Sequence, residues 1–149
     1  MRISTTRPIA REVEPLCRYE RLVAGISARR TLPPAPEVRE LVRAIDAGEP
    51  LLTTGLVLQE LQQGFSGPRA RERILDRFSA LPLLVPDRDD HIDAAELRNR
   101  CRRAGIQIGT IDALLAQLCI GHDITMLTTD GDFRHVAKQS VLKVWSVSA

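Results

Sequence analysis

Four carboxylates of this chain lie inside or directly beside apolar runs, where a charged side chain is costly unless it is paired or binds a cation. They are Glu60, Asp112, Asp130 and Asp132. Carboxylate oxygens are the ligands that Mg²⁺ and Mn²⁺ prefer, and cations held in this way accept phosphate oxygens and activate water. The pattern therefore indicates a metal site suited to cleaving phosphodiester bonds.

Each of these acids also has an ordinary explanation when it is taken alone. Thr110 is predicted to cap a helix, and Asp112, two residues later, is typical of a helix N-terminus. Glu60 is typical of a solvated position on an amphipathic helix. Asp130 and Asp132 flank a glycine, as in a turn whose last residue caps the next helix. Spacing alone leaves these alternatives open, so the neighbouring residues must decide between them.

The bulk properties indicate a single globular domain outside the membrane. The chain has 149 residues, of which 44% are hydrophobic and 27% are charged, as expected for one sizeable core. No apolar stretch approaches the ~20 residues of a membrane span, and the N-terminus lacks a signal-peptide core. Three cysteines without a CxxC spacing indicate reduced thiols. We therefore expect a cytoplasmic protein.

Net charge gives no argument for a nucleic-acid partner. The formal charge is +2, and residues 1–31 hold seven arginines against three glutamates. The remainder of the chain therefore has a slight excess of acidic residues. Because the basic balance comes from the N-terminal fifth alone, it does not indicate a general polyanion-binding surface.

From about residue 33 onward, helix and strand signals alternate along the chain. Helices are predicted over residues 36–47, 54–62, 68–80, 89–103, 110–120 and 132–138. Short strands are predicted over residues 51–53, 83–85, 126–128 and 141–147. This order predicts an α/β fold, a three-layer α/β/α domain with a parallel sheet. Groups that follow parallel strands meet at one sheet edge, where Asp130 is expected and where Asp112 and Glu60 can converge.

Three segments resemble the PIN-domain ribonucleases, most closely the VapC-type toxins of bacterial toxin–antitoxin pairs. They are residues 56–64, 108–116 and 127–133, and the resemblance covers about residues 33–149. It implies that Glu60, Asp112 and Asp130 are catalytic and bind the metal, with Asp132 as a further ligand. It also implies that two hydroxyls, those of Thr110 and Thr128, form hydrogen bonds behind these ligands.

The same resemblance implies a function and a set of partners. The expected activity is Mg²⁺-dependent endoribonuclease hydrolysis, with Mn²⁺ as an alternative cation and a structured RNA such as tRNA or rRNA as substrate. The expected partner is a VapB-type antitoxin, and the protein is expected to form a homodimer without contact to a membrane.

Residues 1–32 depart from the family, which begins with a hydrophobic strand ending in Asp and followed by Thr and Ser. No Asp precedes Asp46, and the arginines interrupt every apolar run. Three hypotheses follow: a frameshifted segment, a true divergence, or a substitute acid such as Glu14. We therefore expect a doubtful first strand, an atypical segment 1–32 and a PIN-like domain 33–149. The alternative function is a catalytically impaired domain that only binds antitoxin or RNA.

Overall fold

The computed structural model describes residues 21–23, 35–64 and 68–147. This part of the chain forms three short strands and six helices, four of which follow one another between the second and third strands. The strands are β1 (Arg21–Val23), β2 (Leu51–Leu52) and β3 (Thr125–Leu127). The helices are α1 (Pro36–Asp46), α2 (Gly55–Gly64), α3 (Pro68–Ser79), α4 (Arg88–Arg103), α5 (Thr110–Gly121) and α6 (Asp132–Ala137).

The three strands form a parallel sheet in the order β2-β1-β3. Arg21 pairs with Leu51 on one side and with Thr125 on the other, and Val23 pairs with Leu127. Because all three strands run in the same direction, their carboxyl ends lie at one edge of the sheet. The predicted α/β fold with a parallel sheet is confirmed.

The central position of β1 differs from the expectation that the first strand is missing or weak. A strand of three residues is too short to show an alternating pattern, and arginine at its first position hides it further. Parallel partners on both sides supply the backbone hydrogen bonds that local sequence preference does not predict. Residues 1–20, including the candidate ligand Glu14, and residues 24–32 lie outside the described part.

Two of the predicted strands are reduced to single bridges. Leu83 pairs only with Thr53, and Val144 pairs only with Met126. Prolines on both sides of residues 83–85 remove backbone donors, which prevents a longer ladder there. The predictions of strands over 83–85 and 141–147 were therefore wrong in extent.

Helix α5 is the most extensively buried of the described helices. All seven residues from 113 to 119 are buried, so the helix is covered on every side rather than along one stripe. It packs against α4, and the chain then reverses direction over residues 122–124 before it enters β3. This reversal brings the first turn of α5 to the carboxyl edge of the sheet.

Within the described residues, no helix combines the length and the hydrophobicity that crossing a bilayer requires.

Candidate functional site

Three buried threonines follow the strands at the carboxyl edge of the sheet. Thr53 and Thr54 come directly after β2, and Thr128 comes directly after β3, with exposed fractions of 0%, 1% and 2%. The Thr54 hydroxyl accepts a hydrogen bond of 3.2 Å from the Val57 N–H and so caps helix α2. Because α2 carries Glu60 in its second turn, this cap fixes the start of the helix that bears the first candidate acid.

The segment between β3 and α6 holds the next two acids in a compact turn. The Thr128 hydroxyl accepts a hydrogen bond of 3.1 Å from the Asp130 N–H. The Asp130 carboxylate in turn accepts one of 2.9 Å from the Asp132 N–H at the start of α6. Thr128 therefore holds the backbone of Asp130, while the carboxylate of Asp130 organises the turn; both acids are exposed.

Asp112 lies in the first turn of α5 and is half-buried. Its Oδ2 accepts a hydrogen bond of 3.3 Å from the backbone N–H of Gly109. The residue that precedes the helix is Gly109, so the prediction that Thr110 caps it was wrong. Thr110 is instead the first helical residue, and it is exposed. Gly109 has no side chain that could cap the helix. The Asp112 carboxylate therefore supplies the acceptor and the negative charge at this helix N-terminus.

The electrostatics join the acids into one group with Asp112 in the middle. Burial raises the pKa of Asp112 above its ordinary value, the Gly109 N–H opposes that rise, and the charges of Asp130 and Asp132 add to it. Burial also raises the pKa of Glu60, and the charge of Asp112 contributes. A carboxylate whose charge raises the pKa of another lies within range of electrostatic repulsion of it. All four sequence-predicted acids therefore share one field.

These carboxylates interact without closing around a single point. In the part of the chain that the structure describes, no three His, Cys, Asp or Glu side chains form a group that could hold a metal ion. The donor set itself consists of carboxylate oxygens, which fit a hard divalent cation in their chemistry. The resemblance implies a further acid at the end of a first strand; in this sequence the residue that follows β1 is Ala24.

Two cavities adjoin the start of α5. One, of about 430 Å³, is lined by Arg98, Arg102 and the loop 106–109. The other, of about 390 Å³, is mainly apolar, and its walls include Leu56, Ile111 and Leu114. The helix that carries Asp112 is therefore flanked at its start by one basic and one apolar cavity.

Sequence reasoning missed the interaction that holds the loop before α5. The Arg98 guanidinium donates a hydrogen bond of 3.0 Å from Nε to the carbonyl of Ile108. This contact joins α4 to a loop ten residues further along the chain, so no local pattern predicts it. The predicted start of the helix at residue 110 is correct, but the cap position that we assigned to Thr110 is occupied by Gly109.

Comparisons with known proteins agree with this architecture. The family model of the PIN domain matches residues 31–139. The structure of FitAB bound to an IR36 DNA fragment is 20% identical, with a TM-score of 0.61, over 84% of this chain and 93% of that chain. The crystal structure of FitAcB from Neisseria gonorrhoeae is 17% identical, with a TM-score of 0.60, over 85% and 96%. At such identities the likeness shows the fold alone, and no curated protein matches the sequence.

Replacing Asp112 with Asn is expected to stabilise the cation-free protein at neutral pH. The folded carboxyl binds its proton more tightly than the unfolded one, so wild-type stability falls as pH rises through the interval between the two pKa values. The amide oxygen of Asn can still accept from Gly109. Because the site is partly solvated, we expect a gain of only about 0.5 kcal/mol at pH 7, shrinking toward pH 4. Urea unfolding in EDTA at both pH values measures it.

The matched control is Asp93→Asn on α4, an exposed acid outside the group. An Asp112→Asn variant that is no more stable than wild type at pH 7, or whose gain does not depend on pH, contradicts the raised pKa of Asp112.

Proposed function

This chain belongs to the PIN-domain family, and from that membership we propose that it is a Mg²⁺-dependent endoribonuclease, the toxin of a VapBC-type toxin–antitoxin module. PIN domains are generally metal-dependent nucleases. The observation that carries the proposal is the shared electrostatic field of Asp112 with Glu60, Asp130 and Asp132. A field that disfavours the charged state of its own carboxylates favours a cation between them.

In this proposal Glu60, Asp112 and Asp130 hold the cation, and Asp132 is a further ligand. A bound Mg²⁺ or Mn²⁺ supplies an activated water and neutralises charge on the phosphate that is cleaved. The protein's own part is to hold the ligands. The Gly109 N–H holds one oxygen of Asp112, which leaves the other oxygen available. The Thr128 hydroxyl supports the backbone at Asp130.

A structured RNA, such as tRNA or rRNA, is the proposed substrate, and the basic cavity supports it. Arg98 and Arg102 lie one turn apart on α4 and line the same cavity. Gly109 also lines this cavity. Guanidinium groups bind phosphate oxygens through paired hydrogen bonds, so this surface suits a nucleic-acid backbone that runs past Asp112.

A VapB-type antitoxin and a homodimer complete the proposal, and the apolar surface near the acids supports a protein partner. The apolar cavity is lined by Leu56 and by Ile111 and Leu114, which belong to the same helix as Asp112. Ile92 and Val85 add exposed apolar surface on α4 and just before it, with exposed fractions of 59% and 76%. Exposed apolar side chains beside a polar site are typical of an interaction surface.

One observation favours a second function, a catalytically impaired domain that only binds antitoxin or RNA. The carboxyl end of the central strand β1 is followed in the sequence by Ala24 and Gly25, with no acid. Affinity for a hard cation depends on the number of carboxylates, so a missing ligand weakens binding. The two functions differ in whether the remaining acids suffice for turnover.

Cleavage of a structured RNA with and without Mg²⁺ tests the enzymatic proposal. We expect Asp112→Asn and Glu60→Gln each to lower the Mg²⁺-dependent rate by about a hundredfold or more, because each removes a ligand charge. The control is Glu72→Gln, an exposed acid on α3 that is expected to change the rate little. Equal, metal-independent cleavage by wild type and Asp112→Asn contradicts the proposal.

Restoring an acid at the end of β1 separates the two functions. We expect Ala24→Asp to lower the apparent Mn²⁺ dissociation constant about tenfold, because it introduces an acid directly after β1 in the sequence, where the family resemblance implies a ligand. Calorimetric titration measures the constant, and Ala24→Asn is the matched variant without charge. An inactive wild type whose Ala24→Asp variant cleaves RNA identifies the impaired domain; identical Mn²⁺ affinity in wild type and both variants shows that this position is not part of the site.

A further inference from the structure

The backbone at Gly109 lies unusually close to the Asp112 carboxylate. A Cβ atom built on Gly109 would lie 2.8 Å from Asp112 Oδ2 and 3.7 Å from its Cγ. The first distance is shorter than carbon and oxygen atoms tolerate without a bond. The φ angle of Gly109 is −67°, which any residue adopts. The backbone conformation therefore does not call for glycine, but a side chain at residue 109 could enter only if the Asp112 carboxylate shifted.

The Asp112 carboxylate occupies the space that a side chain at residue 109 would take, and it forms a hydrogen bond there. Oδ2 of Asp112, the atom nearest to the missing Cβ, is the oxygen that accepts from the Gly109 N–H at 3.3 Å. A side chain at residue 109 would press on the same oxygen that the backbone attracts. Because a carboxylate turns easily about its side-chain torsions, the carboxylate would move and the helix would remain.

The loop itself is held from the other side. Arg98 on α4 donates to the carbonyl of Ile108, the residue before Gly109, and Ile108 is buried in the core. Both neighbours of the contact are thereby fixed: the loop by Arg98 and Ile108, and the helix by the buried residues of α5. The backbone cannot easily withdraw to make room for a side chain at residue 109.

We propose that Gly109 is a positioning residue, whose missing side chain allows the Asp112 carboxylate to lie against the backbone beside Glu60 and the Asp130–Asp132 turn. A side chain at this residue displaces Asp112 from the shared group without unfolding the domain. The consequence for cation binding rests on the proposed function, whereas the coupling between Gly109 and Asp112 does not.

A double-mutant cycle tests the proposal in the full chain. The variants are Gly109→Ala, Asp112→Ala and the double variant, and each is examined by urea unfolding in EDTA and by Mn²⁺ binding followed by electron paramagnetic resonance. We expect Gly109→Ala to lower the urea midpoint when Asp112 is present, and to leave it unchanged or raise it when residue 112 is alanine. The Mn²⁺ dissociation constant should rise about tenfold when Gly109→Ala is introduced into the wild type, and should be the same in Asp112→Ala and in the double variant.

The control is Gly55→Ala at the start of α2, where an added Cβ meets nothing within 4 Å. It should leave the Mn²⁺ dissociation constant unchanged. A Gly109→Ala effect of the same size with and without Asp112, in both measurements, overturns the proposal even if Mn²⁺ binds. Coupling in urea together with no Mn²⁺ binding by any variant supports the positioning role and rejects the proposed function.

Discussion

Partial burial of carboxylates that lie within range of one another's charge is the constraint on which this structure depends. Burial is the main cause of the raised pKa of Asp112 and of Glu60; the charges of Asp130 and Asp132 add to it at Asp112, and the charge of Asp112 adds to it at Glu60. A domain selected for stability alone would not hold several acids so close together. Placing them there costs free energy in the absence of a counter-ion, and strain of this kind is typical of functional sites.

The surrounding fold resists that repulsion because the two helices that carry Glu60 and Asp112 are held mainly by other residues. Helix α5 is held by seven consecutive buried residues, so its first turn cannot move outward to relieve Asp112. The Thr54 hydroxyl fixes the start of the helix that carries Glu60, and the buried Thr128 fixes the turn after β3. The acids can therefore move only by rotation of their side chains. A bound cation would draw those side chains together.

Sequence patterns predicted most of the helices and the acids, because both depend on local spacing. The apolar rows of α1 and α5 and the acidic segments around Glu60, Asp112 and Asp130 are visible within a few residues. The central strand β1 was not predicted, because three residues carry no periodicity and its partners come from distant parts of the chain. The contact between Arg98 and Ile108 is also tertiary. The role of Gly109 depends on the distance between its backbone and the Asp112 carboxylate, and sequence spacing does not give that distance.

The central claim is that the acids around Asp112 jointly hold one divalent cation, and anomalous diffraction from crystals of the full chain soaked in Mn²⁺ tests it most directly. The account predicts one dominant anomalous peak at ligand distance, roughly 2.1–2.3 Å, from Asp112 and from at least one of Glu60 and Asp130. A map at saturating Mn²⁺ with no peak beside Asp112, or with peaks only at other surface acids, would contradict the account.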